Sequence, residues 1–212
     1  MFKIYQDKKE LIADLMKNDD VVLDAGFWGQ GIKSDQENWP HKLIKERAKE
    51  VYGLDLDFDQ TKFSGGNYLK GSAEYFNFPV KFDVIFAGDL IEHLSNPGQF
   101  LASCARNLKD DGRLIITTPN CFNLFNLAEK LSKAEPTVNS DHVCYFNSKT
   151  ISRLLKKNNF TVGEMSFLYD SGVGFKESWK KKFLNFCYFI AAKFTTKFLE
   201  TLVIIGKKEQ AT

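Results

Sequence analysis

Residues 20–31 read DVVLDAGFWGQG, and this stretch decides the fold. Val21, Val22 and Leu23 form a short aliphatic run that ends in Asp24 and breaks into a turn carrying Gly26, Gly29 and Gly31. A continuous apolar run is what a parallel strand needs when helices cover both its faces. Glycines directly after it let the backbone turn sharply and come close to a ligand. Strand, glycine turn and helix in this order open a nucleotide-type cofactor site at the edge of an α/β sheet. Taken alone, the glycines would equally describe an ordinary tight turn, so the rest of the chain has to decide.

Working outward, helical spacing of Leu11, Ile12, Leu15 and Met16 predicts a helix over 7–17 with one buried stripe. After an unusually long polar segment, 26–39, Pro40 suits the first turn of a helix reading PHKLIKERAKE. EVYGLD at 50–55 and FDVIFA at 82–87 read as strands, with a short strand near Tyr68–Leu69 between them. Asn96-Pro97-Gly98 begins a helix that buries Leu101, Cys104, Ala105 and Leu108, and Asp111-Gly112 turns the chain into the strand RLIITTP. Beyond Pro119 the pattern loosens into a helix (NCFNLFNLAEKL), a polar loop over 133–147, and a helix (TISRLLKKNN) capped by Asn147 or Ser148. FTVGEMSFLY, a helical pattern over 176–194 and a terminal strand, TLVIIGKK, complete the chain. Alternating strands and helices give βαβ units around a parallel sheet with helices on both faces. No repeat or linker interrupts 1–212, which reads as one domain.

Composition narrows the function. Twenty-nine basic against 27 acidic residues leave a net charge of +2, which lacks the basic footprint of a nucleic-acid partner. Cys104, Cys121, Cys144 and Cys187 are widely spaced, as reduced thiols of a cytoplasmic protein are, and form neither a disulfide framework nor a zinc motif. MFKIYQDKKE has no apolar leader stretch. About half of the twenty phenylalanines follow residue 120, so the second half of the chain is built to present or bury aromatic surface.

Ligands of open α/β sheets bind outside the carboxyl ends of the strands. Four such ends carry suggestive residues here: Asp24 with Gly26, Asp55, Ser72 to Glu74, and Gly88 with Asp89. An acid ending the strand after the glycine turn is placed to accept both hydroxyls of a ribose, a role that suits Asp55, with Asp57 as the alternative.

VVLDAG, VYGLD, GSAEYFNFPVKFDVI, DLIEHLSNPGQFL and DGRLIITTPN together, over residues 8–165, resemble the class I S-adenosylmethionine-dependent methyltransferases. The nearest types are small-molecule enzymes of sugar, glycan and lipid biosynthesis and the ubiquinone-pathway O-methyltransferases. The resemblance implies a Rossmann-like, seven-stranded, mostly parallel sheet whose last strand is antiparallel, which suits TLVIIGKK. It also implies S-adenosylmethionine as cofactor and S-adenosylhomocysteine as product. Asp24, Ala25, Gly26 and Gly31 would then surround the methionine part, and Asp55 with Leu56 would take the ribose. Ser72, Ala73 and Glu74 would lie by the adenine, and Ala87, Gly88, Asp89 and Leu90 would line the wall below the reactive methyl. The chain departs from the family's D-x-G-x-G-x-G loop: Trp28 stands where the second glycine belongs, and KSDQENW lengthens the loop.

Methyl transfer from a sulfonium needs the acceptor held in near-attack geometry and water kept out. A base is needed only where the acceptor carries a proton, as a hydroxyl does. His93, in Asp89-x-x-Glu92-His93, and His142, in SDHVCYF, are the candidate bases or acceptor contacts. The same set resembles the divalent-metal site of ubiquinone-pathway and small-RNA 2′-O-methyltransferases, a reading placed second to the base. His41, beside Trp39-Pro40, is assigned to the cofactor loop or the surface.

The acceptor expected is a small molecule, first a hydroxyl of a sugar or of a glycan or lipid precursor. Residues 120–195 would contribute a cap over it. Lys180–Lys182 beside Phe183, Leu184, Phe186 and Phe189 suit either a sheet-covering helix or a peripheral membrane contact through 176–194. Two alternatives compete. One is a degenerate interaction module whose Trp28 loop has closed the site. The other is a nicotinamide oxidoreductase using Tyr145 and Lys149, which would need both on one helix face.

Overall fold

The computed structural model describes residues 3–29, 38–63, 65–132, 135–136, 139–169 and 198–209. Among these, eight strands form one sheet in the order β1-β7-β8-β6-β5-β2-β3-β4. They are β1 (Ile4–Tyr5), β2 (Val21–Ala25), β3 (Glu50–Asp55), β4 (Tyr68–Lys70), β5 (Phe82–Gly88), β6 (Leu108–Pro119), β7 (Phe160–Leu168) and β8 (Thr201–Lys208). Every expected strand is present, and β8 runs antiparallel to both β6 and β7 while the remaining pairs are parallel. The eighth strand, β1, is a two-residue parallel edge against Phe167 and Leu168. Two residues carry no readable period, which is why the sequence gives no sign of it.

The two faces can be followed residue by residue. Leu23, Ile85, Ile116 and Ile204 share one core with helices α3 (Pro97–Asn107) and α5 (Ser148–Lys157), through Phe100, Leu101 and Cys104 and through Ile151 and Leu155. Their neighbours Val22, Val84, Ile115 and Val203 share the other with α1 (Lys8–Leu15) and α2 (Pro40–Lys45), through Leu11 and Ile12 and through Leu43 and Ile44. Successive side chains of a strand point to opposite faces, so burial on both faces requires the unbroken apolar runs seen in the sequence. Each such side chain contributes roughly 1.5–3 kcal/mol by leaving water.

Caps set the helix starts. Asn96 accepts from the Gln99 amide at 3.0 Å ahead of Pro97, and Asn147 and Thr150 form a reciprocal capping box. Tyr145 therefore lies outside α5, more than half exposed, and cannot share a helix face with Lys149. Two boundaries differ from expectation. Helix α2 stops at Lys45, and 46–49 form turns. Strand β6 starts at Leu108, so Asp111-Gly112 is an irregularity inside the strand, between the pairs Phe82–Leu108 and Val84–Arg113. Helix α4 (Leu124–Ser132) follows the isolated bridge between Asn120 and Phe146. No helix among the described residues is long and apolar enough to cross a membrane. The stretch 176–194 lies outside the described residues.

Candidate active site

From β2 the chain builds outward through β3 and β4, then returns to place β5 and β6 on the other side of β2. The order reverses between β2 and β5, and the crevice beyond the carboxyl ends there is the natural ligand position. Gly26 has φ +78°, and a Cβ added to it would stand 3.0 Å from the Leu90 side chain, so both conformation and space call for glycine. Its amide donates to the Leu54 carbonyl at 2.7 Å, tying the turn to β3.

Asp24 is 2% exposed, and its Oδ2 lies 3.0 Å from His41 Nδ1. Burial pushes this carboxyl up, and the hydrogen bond and charge of His41 oppose the push. His41, in the first turn of α2, has no exposed surface, which removes the surface option for it. A histidine two residues into an amphipathic helix gives no sign in sequence that it faces inward to an acid. Phe27 packs against Trp39, Phe58, Phe63, Tyr68 and His41. The Trp28 ring packs against Trp39 and Phe63, with centroids 5.9 and 5.2 Å away. Gly31, with the rest of 30–37, lies outside the described residues.

Asp55 ends β3 and turns its carboxylate toward the glycine turn. Oδ2 accepts from the Trp28 amide at 3.0 Å and the Gly29 amide at 3.4 Å, and Oδ1 accepts from the Asp57 amide at 3.2 Å. Asp57 pairs with Lys70 instead, 2.7 Å away, on an exposed surface. Leu56 is exposed beside Asp55. Ser72 Oγ accepts from the Glu74 amide, and Glu74 accepts from the amide of the α3 cap residue Asn96. Ala25 and Ala87 have no exposed surface and Ala73 almost none, so their side chains belong to the core and not to the wall of a crevice.

Across the switch point, Gly88 leads into Asp89, which adopts φ +50°. Its amide donates to the Thr117 carbonyl, its Oδ1 accepts from Thr117 Oγ1 at 3.0 Å, and its Oδ2 pairs with Lys8 Nζ at 2.9 Å. Lys8 reaches it from α1, across 81 positions of sequence, a contact no local pattern announces. A single 3-10 turn, Ile91–His93, follows. Glu92 is 2% exposed; Thr118 Oγ1 donates to its Oε2 at 2.9 Å, while Oε1 has no hydrogen-bond partner among the described residues. Burial, then the charge of Asp89, pushes this carboxyl up to about 8. The Glu92 carbonyl accepts the Val143 and Cys144 amides, which draws the loop carrying His142 over the turn. His93 and His142 meet edge to face with centroids 4.6 Å apart, and His142 Nε2 lies 4.0 Å from the orphaned Oε1. Burial, then the neighbouring His93, holds His142 below the usual imidazole range. One ligand atom from each of Glu92, His93 and His142 can be chosen so that all lie within 4.8 Å of one another, a fit for a divalent cation.

The switch-point crevice, the glycine turn and the antiparallel last strand define the class I S-adenosylmethionine-dependent methyltransferase fold. Residues 2–164 match the family model described as "Methyltransferase domain", and the chain belongs to that family. It is 28% identical over 148 residues to a Mycolicibacterium smegmatis protein named "Probable S-adenosylmethionine-dependent methyltransferase/", a match covering 66% of this chain and 52% of that protein. It is 27% identical over 103 residues to the mitochondrial ubiquinone biosynthesis O-methyltransferase of Schizosaccharomyces pombe, covering 46% and 38% respectively. The chain thus spans about half, or less, of the length of these relatives. The crystal structure of an S-adenosylmethionine-dependent methyltransferase from Archaeoglobus fulgidus superposes with a TM-score of 0.61 at 20% identity, covering 95% of each chain.

Proposed function

We propose that this protein transfers a methyl group from S-adenosylmethionine to a hydroxyl of a small molecule, with a sugar or a glycan or lipid precursor as the first class of acceptor. The observation that carries this reading is the pairing of His93 and His142 beside buried Glu92, across the switch point from Asp24 and Asp55. Bound S-adenosylmethionine supplies an electrophilic methyl on a sulfonium. Asp55 would accept from the ribose hydroxyls, Gly26 would let the backbone approach, and Ser72 and Glu74 would border the adenine. His142, whose imidazole burial holds below its usual range, would take the acceptor's proton as its oxygen is methylated and S-adenosylhomocysteine leaves. Glu92, largely protonated near neutrality, would add no charge against that step. Helix α4 and the loop over 139–147, with the rest of 120–195, would cap the acceptor and keep water out. We place the activity in one domain in the cytoplasm, without nucleic acid; 176–194 is the segment to test for peripheral membrane contact.

The cation reading has its own observation, the orphaned Glu92 Oε1 facing two imidazoles. Glu92, His93 and His142 would hold the ion, and a bound divalent cation lowers the pKa of a hydroxyl that it coordinates. Supplying labelled S-adenosylmethionine and a panel of hydroxylated acceptors, with and without EDTA, tests both readings. Label transfer that survives EDTA supports the imidazole base, and loss restored by magnesium or manganese assigns the three residues to the ion. Transfer to no acceptor in any condition contradicts the proposed function.

A further inference from the structure

The Asp24–His41 pair is more than a brace between β2 and α2. A carboxylate that is 2% exposed has to be neutralised or given a strong donor. The donor is itself held from its other side. His41 Nε2 lies 3.1 Å from the Tyr68 hydroxyl, and that oxygen also accepts from Lys45 Nζ at 3.4 Å. The hydroxyl thus joins the Lys45 ammonium to the far nitrogen of the imidazole. The hydrogen bond between Nδ1 and Asp24 fixes the orientation of the carboxyl and opposes the upward push that burial gives it. Asp24 stands two residues before Gly26, at the switch point, and on the cofactor reading it borders the amino-acid half.

We propose that His41 is a positioning residue for the amino-acid half of the cofactor, holding the Asp24 carboxyl in one orientation beside the glycine turn. The inference rests on the cofactor reading given above. Tyr68 and Lys45 form the outer part of the same relay and hold the ring from the far edge of the sheet. The Phe27 ring, 4.8 Å from the His41 ring, and Trp39, 5.1 Å away, screen the pair from water and strengthen its hydrogen bonds.

The test compares two ligands and two near-isosteric variants. S-adenosylhomocysteine carries the amino-acid half; 5′-methylthioadenosine has the same nucleoside and sulfur without it. The side-chain amide nitrogen of His41→Asn falls near the position of Nδ1 and can still donate to Asp24, whereas that of His41→Gln falls near Nε2 and cannot. Calorimetric titration of each variant is expected to leave 5′-methylthioadenosine affinity within about twofold of the unmodified protein. S-adenosylhomocysteine affinity is expected to stay near that of the unmodified protein in His41→Asn and to fall about tenfold in His41→Gln, the scale of one charge-assisted hydrogen bond. Tyr68→Phe, at the half-buried end of the relay, is expected to give a two- to threefold loss, about the worth of a neutral hydrogen bond, again for S-adenosylhomocysteine alone. Equal weakening of both ligands, or better retention by His41→Gln than by His41→Asn, overturns the proposal and leaves the pair a structural brace. If both histidine variants fail to fold, the selectivity of Tyr68→Phe decides in the same way. Absence of binding of either ligand to the unmodified protein overturns the cofactor reading itself, and this inference with it.

Discussion

The two sides of the switch point are built by opposite rules. On the β2–β3 side each acid is held: Asp24 by His41, and Asp55 by the amides of Trp28, Gly29 and Asp57. On the β5–β6 side, Asp89 is held by Thr117 and Lys8, but the next acid inward is not. Glu92 is buried with one oxygen orphaned, two imidazoles within reach and its pKa pushed up to about 8. A buried polar atom without a partner costs roughly 1–3 kcal/mol, and sites that tolerate that cost are commonly sites of chemistry. The contrast suits the proposed division of roles, recognition of a fixed ligand on the first side and proton or cation handling on the second.

Substitutions on the two sides should then separate binding from turnover. The largest effect is expected from Asp55→Ala. If Asp55 accepts two ribose hydroxyls as proposed, its removal should weaken S-adenosylmethionine binding by about 100-fold or more by calorimetry, since each charged hydrogen bond is worth about 1.5–3 kcal/mol. Unchanged affinity would break the comparison at its first side. His93→Ala and His142→Ala should leave that affinity within about twofold and slow turnover roughly 100-fold, the usual scale of a general base. Turnover unaffected by either change would break it at the second.

Stability sharpens the contrast further. A carboxyl raised in the folded state stabilises fully below its unfolded pKa near 4.5, and that contribution is lost as pH rises toward about 8. The ligand-free protein should therefore lose stability across pH 5–8, by about 2 kcal/mol or more from Glu92 at roughly 1.4 kcal/mol per unit. Glu92→Gln should flatten that slope in chemical denaturation; an identical slope in both proteins would show that Glu92 ionises freely. The smallest effect is expected from Lys8→Met. Its partly exposed pair with Asp89 should contribute less than about 1 kcal/mol, so the melting temperature should shift by only a few degrees, with cofactor affinity intact.

How much of this was legible in the sequence follows from the range of the interactions. Strand and helix positions came from local apolar periodicity, and the caps at Asn96 and Asn147 from residue type and spacing. The acids at strand ends were legible because topology places every parallel strand's carboxyl end on one edge. The partners of those acids were not. Lys8 meets Asp89 across 81 positions, and His41 reaches Asp24 only because α2 packs its first turn under the glycine turn. Helix α2 shows the same limit from another direction. Its polar residues continue to Glu50, but the helix ends four residues before β3 begins, because the chain must turn back to enter β3 beside β2.

The most direct measurement is calorimetric titration of the purified protein with S-adenosylmethionine and S-adenosylhomocysteine, with NADPH as the control dinucleotide. Micromolar, one-to-one binding of the first two and none of the third is expected. Heat from neither adenosyl ligand would mean that the Trp28 loop and the Asp55 carboxylate close the site on themselves, and it would contradict the assignment of this crevice to a methyl-donor cofactor.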